Sequence, residues 1–332
     1  MRIAVDAMGG DHGPAVVIPG AIAGARATGA ALLFVGQTEA IQRALGDAGG
    51  SSTVDVTVVD APETIEMDDH PTQALRRKPR SSIGIGLEAL RNGGADAFVS
   101  AGNSGAVMAA ALLILGRIPG IERPAIASFM PTISGETLVL DLGAVADAKP
   151  QHLVQFAKMG SVYAESVHGI ARPRVGLLSN GEEPTKGNAL VREAFGLLDE
   201  TLGVNFIGNV EGNDITRGTV DVVVTDGFTG NVALKVAEGV ASLVGTLLRQ
   251  ELTASVPRKL SALMLRGAFG SLRRKLDYSE TGGAALLGVQ GTVVIAHGRS
   301  DARAMENAVV VASRAVSEQV NDRIRTAMES AA

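Results

Sequence analysis

The sequence predicts an α/β fold on a doubly wound, mostly parallel sheet with an antiparallel interruption. Three observations carry this expectation. Short aliphatic and β-branched runs alternate with longer amphipathic stretches, the pattern of strands wrapped by helices on both faces. Several of these runs end in polar, glycine-containing turns that lead straight into a helix. At 332 residues, with 46% apolar and 20% charged side chains, the chain can bury a large core as one α/β catalytic unit over 1–332.

Taken in order, residues 2–6 form a first strand, and the turn holding Gly9, Gly10 and Gly13 leads to a helix from about Ala15 to Ala27. Leu32 to Val35 is a second strand, Thr38 caps the next helix, and Val54 to Val59 is a third strand. An acidic, irregular stretch precedes a helix from Thr72 to Arg91 that carries Arg76, Arg77, Lys78 and Arg80. Ala97 to Val99 is a strand, and the helix behind it reaches Leu115. Ala125–Met130 and Thr137–Asp141 flank Ser134-Gly135 and predict the antiparallel hairpin. An amphipathic helix from Gln151 to His168 leads to a strand through Val175, Leu177 and Leu178, after which Asn188 caps a helix to Leu198. Asn205–Ile207 and Val220–Thr225 are strands, and Val232–Leu252 is a long apolar helix. A helical amphipathic insertion over 253–277 mixes Leu263, Met264 and Phe269 with six cations. The chain closes with a strand, Thr292–Ala296, and one helix from Asp301 to about Met328.

Composition excludes several classes. With no cysteine there is no disulfide, thiolate metal site or thiol nucleophile. Aromatics at 3% and a net charge of −5 argue against nucleic-acid binding. The strand-like start leaves no room for a signal peptide, and the apolar run Ala106–Leu115 is too short to span a bilayer, so a cytoplasmic protein is expected.

Chemistry is expected at three turns: Gly102-Asn-Ser-Gly105, Ser179 to Asn188 with Lys186, and Asp226-Gly-Phe-Thr-Gly-Asn231. A strand that stops in a glycine turn before a helix presents backbone N–H groups to an anion. Three such turns at the carboxyl ends of neighbouring parallel strands would face one crevice, where open α/β sheets bind ligands. The expected occupant is a phosphate. Generic nucleotide motifs fail: Gly84-Ile-Gly-Leu-Glu-Ala89 sits within a helix, and Gly181–Lys186 lacks the second glycine and the Ser/Thr of a phosphate loop. His12, His70, His152, His168 and His297 show no metal-ligand spacing, so neither metal nor cofactor is expected.

Six ordered segments resemble the PlsX family of phosphate acyltransferases: Met1–Pro14, Ile65–Asp69 with Arg76-Arg-Lys78, Ser100–Ala106, Leu178–Asn188, Phe206–Gly212 and Thr225–Asn231. The resemblance covers essentially the whole chain. It implies a fold related to isocitrate and isopropylmalate dehydrogenases and phosphotransacetylases. It also implies acyl transfer from acyl carrier protein to inorganic phosphate for phospholipid synthesis, a homodimer, and peripheral membrane association beside the membrane glycerol-3-phosphate acyltransferase. One departure is Val145, within Asp141-Leu-Gly-Ala-Val-Ala-Asp147, where the family commonly has asparagine.

Phosphate is a competent nucleophile and a thioester an activated donor, so direct transfer needs positioning and charge stabilisation only. The expected assignments are Lys186 to phosphate and developing charge and Asn231 to orientation or the oxyanion. The phosphate pocket falls to Gly9, Gly10, Asp11, His12 and Gly13 with Gly102, Asn103, Ser104 and Gly105. His12 doubles as a proton carrier, and Asn180, Asp226 and Thr229 are lining residues. Leu263, Met264 and Phe269 are assigned to membrane contact. Arg76–Arg80 or the 258–275 cations are candidates for docking the acidic carrier protein. An NAD- and metal-dependent dehydrogenase of the same architecture, or a non-catalytic scaffold that binds acyl carrier protein at a membrane, are the competing readings.

Overall fold

The structure is a computed structural model that describes residues 1–49, 54–267, 269 and 282–329. Its first half contains β1 (Arg2–Asp6), α1 (Pro14–Thr28), β2 (Ala31–Gly36), α2 (Thr38–Asp47), β3 (Val56–Asp60), α3 (Pro71–Arg77), α4 (Ser82–Arg91), β4 (Ala97–Ser100) and α5 (Ser104–Ile114). A hairpin of β5 (Ala125–Pro131) and β6 (Glu136–Leu140) comes next, then α6 (Pro150–His168), β7 (Arg174–Leu178), α7 (Ala189–Asp199), β8 (Asn205–Val210), α8 (Gly212–Arg217) and β9 (Val222–Val224). The chain continues through α9 (Gly227–Thr253), α10 (Val256–Met264), β10 (Ala284–Leu287), β11 (Thr292–Ile295), α11 (Ala302–Ser317) and α12 (Val320–Glu329).

These strands form one eleven-stranded sheet in the order β3-β2-β1-β4-β11-β10-β5-β6-β9-β7-β8. Both edge groups are parallel within themselves, but β10 and β5 are antiparallel to each other, β10 is antiparallel to β11, and β5 to β6. Three successive reversals leave β6, β9, β7 and β8 running opposite to β3, β2, β1, β4 and β11. The expected hairpin is present, and β10 adds a second antiparallel element to the interruption.

The register decides what this reversal does. Val5, Val99 and Val294 lie in one row across the sheet, and that row continues through Ala285, Ala127, Leu140, Val224 and Leu177. Each of β1, β4 and β11 ends one residue past the row, and each of β6, β9 and β7 ends on it or one residue past it. The two half-sheets therefore approach one line from opposite sides and both stop there. The expectation of turns on neighbouring parallel strands holds for β7 and β9 and is corrected for β4, which is separated from β9 by four strands and points the opposite way, so that their carboxyl ends reach the same row from opposite directions, about 24 Å apart across the sheet.

Several local expectations also change. The 72–91 segment is two helices, because Pro79 removes a backbone donor between α3 and α4. The closing helix breaks at Gln319, which adopts a positive φ of 52° between α11 and α12. Thr38 is the first residue of α2 rather than its cap, and its hydroxyl donates to Asp60 Oδ1 at 2.9 Å. The long apolar helix is α9, twenty-seven residues, long and apolar enough by length and composition to cross a membrane. Only Gly227 and Gly230 are buried along it. Of the 253–277 insertion, α10 lies within the described residues, whereas 270–277 lie outside them.

Each half-sheet is covered on both faces. In the first half α1, α2 and α11 cover one face, with Ile3, Val5, Phe34 and Met305 fully buried, and α3, α4 and α5 cover the other. In the second half α6, α7 and α12 cover one face around Phe156, while α8 and the start of α9 cover the other only thinly. His168 at the end of α6 packs against Phe129, with ring centroids 3.7 Å apart, and its Nδ1 lies 3.6 Å from Glu136 Oε2. Burial first, and then the charge of Arg314, holds this imidazole below the ordinary histidine range despite the carboxylate. A depressed folded pKa means the unfolded chain binds the extra proton first, so stability falls as pH drops below about 6.5. Thermal melts from pH 7.5 to 5.5 should show that loss, and His168→Gln should shrink the pH-dependent part. An unchanged pH slope in the variant would assign it to other groups.

Candidate active site

Where the half-sheets meet, the first half contributes a bonded set of turns. Asp6, the last residue of β1, is fully buried and accepts from Ser100 Oγ at 2.7 Å and Met8 N at 3.1 Å. Burial pushes its carboxyl above the usual range against the opposing effect of these bonds. Ser100 Oγ in turn accepts from Gly102 N at 3.0 Å, tying the β4 turn to the β1 turn. Gly9 has to be glycine, since a Cβ there would lie 2.7 Å from Gly102 N and 2.8 Å from Asp6 Oδ2. Gly10 takes a positive φ of 83°, and Asp11 N donates to Gly298 O at 2.8 Å, which joins the turn after β11 to the same set.

Several predicted side chains are occupied by this framework. Asn103 caps α5, with Oδ1 accepting from Ala106 N at 3.1 Å, and its amide nitrogen faces the carbonyls of Glu66, Met67 and Asp69 at 3.0–3.3 Å. It clamps the acidic 66–69 segment over the turn, so what it offers an anion is the backbone it fixes, not its side chain. Asp11, His12 and Ser104 are exposed, while Gly13 precedes α1 with a positive φ of 52° and Gly105 sits against Pro71.

The second half contributes two loops from hydrogen-bonded neighbours, β7 and β9. Lys186 is exposed on the 179–188 loop, which Asn180 Oδ1 holds by accepting from Gly187 N at 2.9 Å and Asn209 Nδ2 holds by donating to Glu183 O at 2.9 Å. Asn188 caps α7 as expected, accepting from Val191 N at 2.9 Å. On the β9 side Asp226 caps α9, and Thr229 donates to it through both its N–H and its hydroxyl, so the pair is spent on the helix terminus. Asn231 is therefore not the cap. Its Nδ2 donates to Leu142 O at 3.0 Å, and the second hydrogen of that amide remains as a donor.

Asp141, at the end of β6, supports this arrangement. Its carboxylate accepts from the backbone N–H groups of Ile126, Gly143, Ala144 and Val145 at 2.6–3.1 Å, while burial raises its pKa. That fixes the 141–145 loop against Asn231. Val145 takes part through its backbone, accepting from Gly227 N at 2.8 Å, while its side chain is buried. Its position therefore calls for main-chain polarity, which a valine supplies.

The sequence pattern did not reveal the contact that spans the two halves. Lys235, two turns into α9, places Nζ 3.4 Å from His297 Nε2 and 3.0 Å from Glu238 Oε2. His297 lies just after β11, and burial followed by the charge of Lys235 lowers its pKa. A lysine inside an apolar helix and a histidine directly after a strand were the available signals. At the far end of α9 and α10, Leu263 and Met264 are 63% and 88% exposed, and Phe269 is half-buried.

Comparison with known proteins agrees with this architecture. A family model described as "Fatty acid synthesis protein" matches residues 1–323. The chain is 48% identical over 330 residues to a phosphate acyltransferase of Geobacter sulfurreducens, covering 99% of this chain and 95% of the relative. It is 50% identical over 318 residues to one of Heliobacterium modesticaldum, covering 96% and 95%. Among solved structures, a phosphotransacetylase from Streptococcus pyogenes superposes with a TM-score of 0.66 at 19% identity, covering 96% of this chain and 94% of that one. A 4-hydroxythreonine-4-phosphate dehydrogenase from Klebsiella pneumoniae gives 0.55 at 15% identity, covering 94% and 98%. These two share the fold, and the full-length sequence identities show that the chain belongs to the phosphate acyltransferase family.

Proposed function

We propose that the protein transfers a fatty acyl group from the thioester of acyl carrier protein to inorganic phosphate, forming an acyl phosphate used in phospholipid synthesis. A phosphate oxygen attacks the thioester carbonyl, a C–O bond forms, the C–S bond breaks, and the phosphate's proton ends on the departing thiolate. The observation that supports this reading is that both sets of carboxyl ends stop at one row of the sheet, with Lys235 and His297 in contact across the two halves. One side offers the backbone turns at Gly9–Gly13 and Gly102–Gly105, and the other offers Lys186 and the free amide hydrogen of Asn231. A dianion resting on the first is presented to a carbonyl oxygen facing the second. No protein nucleophile is needed, which fits a chain without cysteine. Incubating the protein with long-chain acyl carrier protein and labelled phosphate should give labelled acyl phosphate in step with thiol release. Thiol release without label in the acyl product would mean a thioesterase instead.

The assembly proposed with this activity is a homodimer in peripheral contact with a membrane. Phe228, Val232, Val236, Val240, Leu243 and Leu247 recur every three or four residues along α9, and each is at least 48% exposed. A stripe of that length on one helix face suits the same stripe of a second copy. Leu263 and Met264 beyond it would meet the lipid, placing the acyl phosphate beside the membrane glycerol-3-phosphate acyltransferase. Leu263→Glu/Met264→Glu should abolish sedimentation with anionic liposomes and leave turnover in solution intact. Retained sedimentation would remove these residues from any membrane role.

A further inference from the structure

A cavity of about 400 Å³ lies away from the meeting line, between the end of α5 and the start of α6. Arg117, Arg123 and Lys149 line it together with Leu112, Glu122 and His152. Its one carboxylate is engaged: Glu122 Oε2 lies 3.1 Å from Nε2 of the buried His152, and Arg117 donates to the Glu122 carbonyl. Arg123 and Lys149 are exposed and form no ion pair among the described residues. The cavity is thus a net cationic hollow, with Leu113 standing 74% exposed on the adjacent helix face.

The other basic stretches are neutralised only in part, since Arg76, Arg77, Lys259 and Arg266 form no ion pair among the described residues. Lys78 is bonded to Asp69, Arg80 lies 3.9 Å from Asp60 and its N–H donates to Glu63, and Arg258 is paired with Glu251 at 2.7 Å. Arg273, Arg274 and Lys275 lie outside the described residues.

The cavity is also within reach of the proposed chemistry. Leu112 lies nine residues beyond Asn103 on α5, about 13 Å along the helix. Lys149 is six residues past Gly143, whose α-carbon faces Asn231, so at most about 20 Å of chain separates them. A carrier held at the hollow would need only a flexible arm to bring a thioester to the line where the half-sheets meet.

We propose that this hollow is the docking site for the acidic face of acyl carrier protein, an inference that rests on the function proposed above. Carboxylates of the carrier meet Arg117, Arg123 and Lys149, and Leu113 supplies the apolar contact beside them. The attraction is of the kind that sets encounter rate and weakens with salt.

The test is steady-state kinetics with two donors, the acyl carrier protein thioester and an acyl N-acetylcysteamine thioester that has no carrier. Arg123→Glu/Lys149→Glu should raise the KM for the carrier thioester roughly tenfold and flatten its salt dependence. The KM for phosphate and turnover of the small thioester should not change. An unchanged carrier KM and salt slope overturns the proposal, as does a carrier KM that responds instead to Arg76→Glu/Arg77→Glu. Should the double reversal fail to fold, Arg123→Gln/Lys149→Gln with a native melt must still raise the carrier KM, and no rise overturns the proposal. Loss of liposome sedimentation with carrier kinetics intact would give the hollow to the membrane and also overturn it. Anisotropy of labelled carrier separates the two readings: carrier binding lost in the variant, from a parent lacking phosphate-dependent turnover, keeps the docking site while the proposed reaction fails.

Discussion

Lys186→Ala is expected to lower kcat by about 10²–10³-fold, the usual cost of losing one preorganised donor to developing charge. Its side chain is exposed and the loop that carries it is held by Asn180 and Asn209, so folding should be retained. Asn231→Ala should cost a similar factor through a different route. That amide both donates to Leu142 O and offers its second hydrogen outward, so its removal also loosens the 141–145 loop. Rapid-quench measurement of acyl phosphate formation would read the chemical step directly. Near-parental turnover in both variants, with native melting curves, would contradict the assignment.

Gly230→Ala is expected to be the most damaging single methyl addition among the described residues. A Cβ there would overlap the main-chain carbonyl oxygen of Asp141, a fully buried residue whose N–H donates to Thr225 O at 3.1 Å. Overpacking against backbone costs about 3 kcal/mol, and here it would also lift the start of α9 off the end of β6 and carry Asn231 with it. Gly239→Ala, nine residues further along the same helix, meets nothing within 4 Å. It should stabilise the protein by roughly 0.5–1 kcal/mol through helix propensity alone. Denaturant unfolding of the two variants separates the outcomes. Equal effects would mean that α9 is not seated on the sheet as described.

How much of this was legible in the sequence depends on the range of the interaction. Strand ends marked by Gly9, Gly102 and Gly227 were readable because the residue type alone signals a turn before a helix, although the atoms that need the space, Gly102 N at Gly9, Asp6 at Gly102 and Asp141 at Gly227, are far away in the chain. Asn188 as a cap was readable for the same reason. The opposite running of the two half-sheets was not, because it arises from β10 inserting between β11 and β5, a pairing between segments far apart in the chain. The side-chain assignments at Asn103, Asp226 and Thr229 shifted to helix caps and clamps, since polar residues at helix starts satisfy the backbone first. Lys235 and His297 are sixty-two residues apart and come together only through the fold.

The central claim is that the two sets of carboxyl ends, arriving from opposite directions, share one phosphate site. A crystal structure with phosphate and an unreactive thioether analogue of the acyl donor tests it most directly. The account predicts a phosphate touching the Gly9–Gly13 or Gly102–Gly105 backbone on one side, with Lys186 or Asn231 in contact with the same phosphate or the adjoining carbonyl. Phosphate and donor bound to separate halves, with no group from the other half touching either, would contradict it.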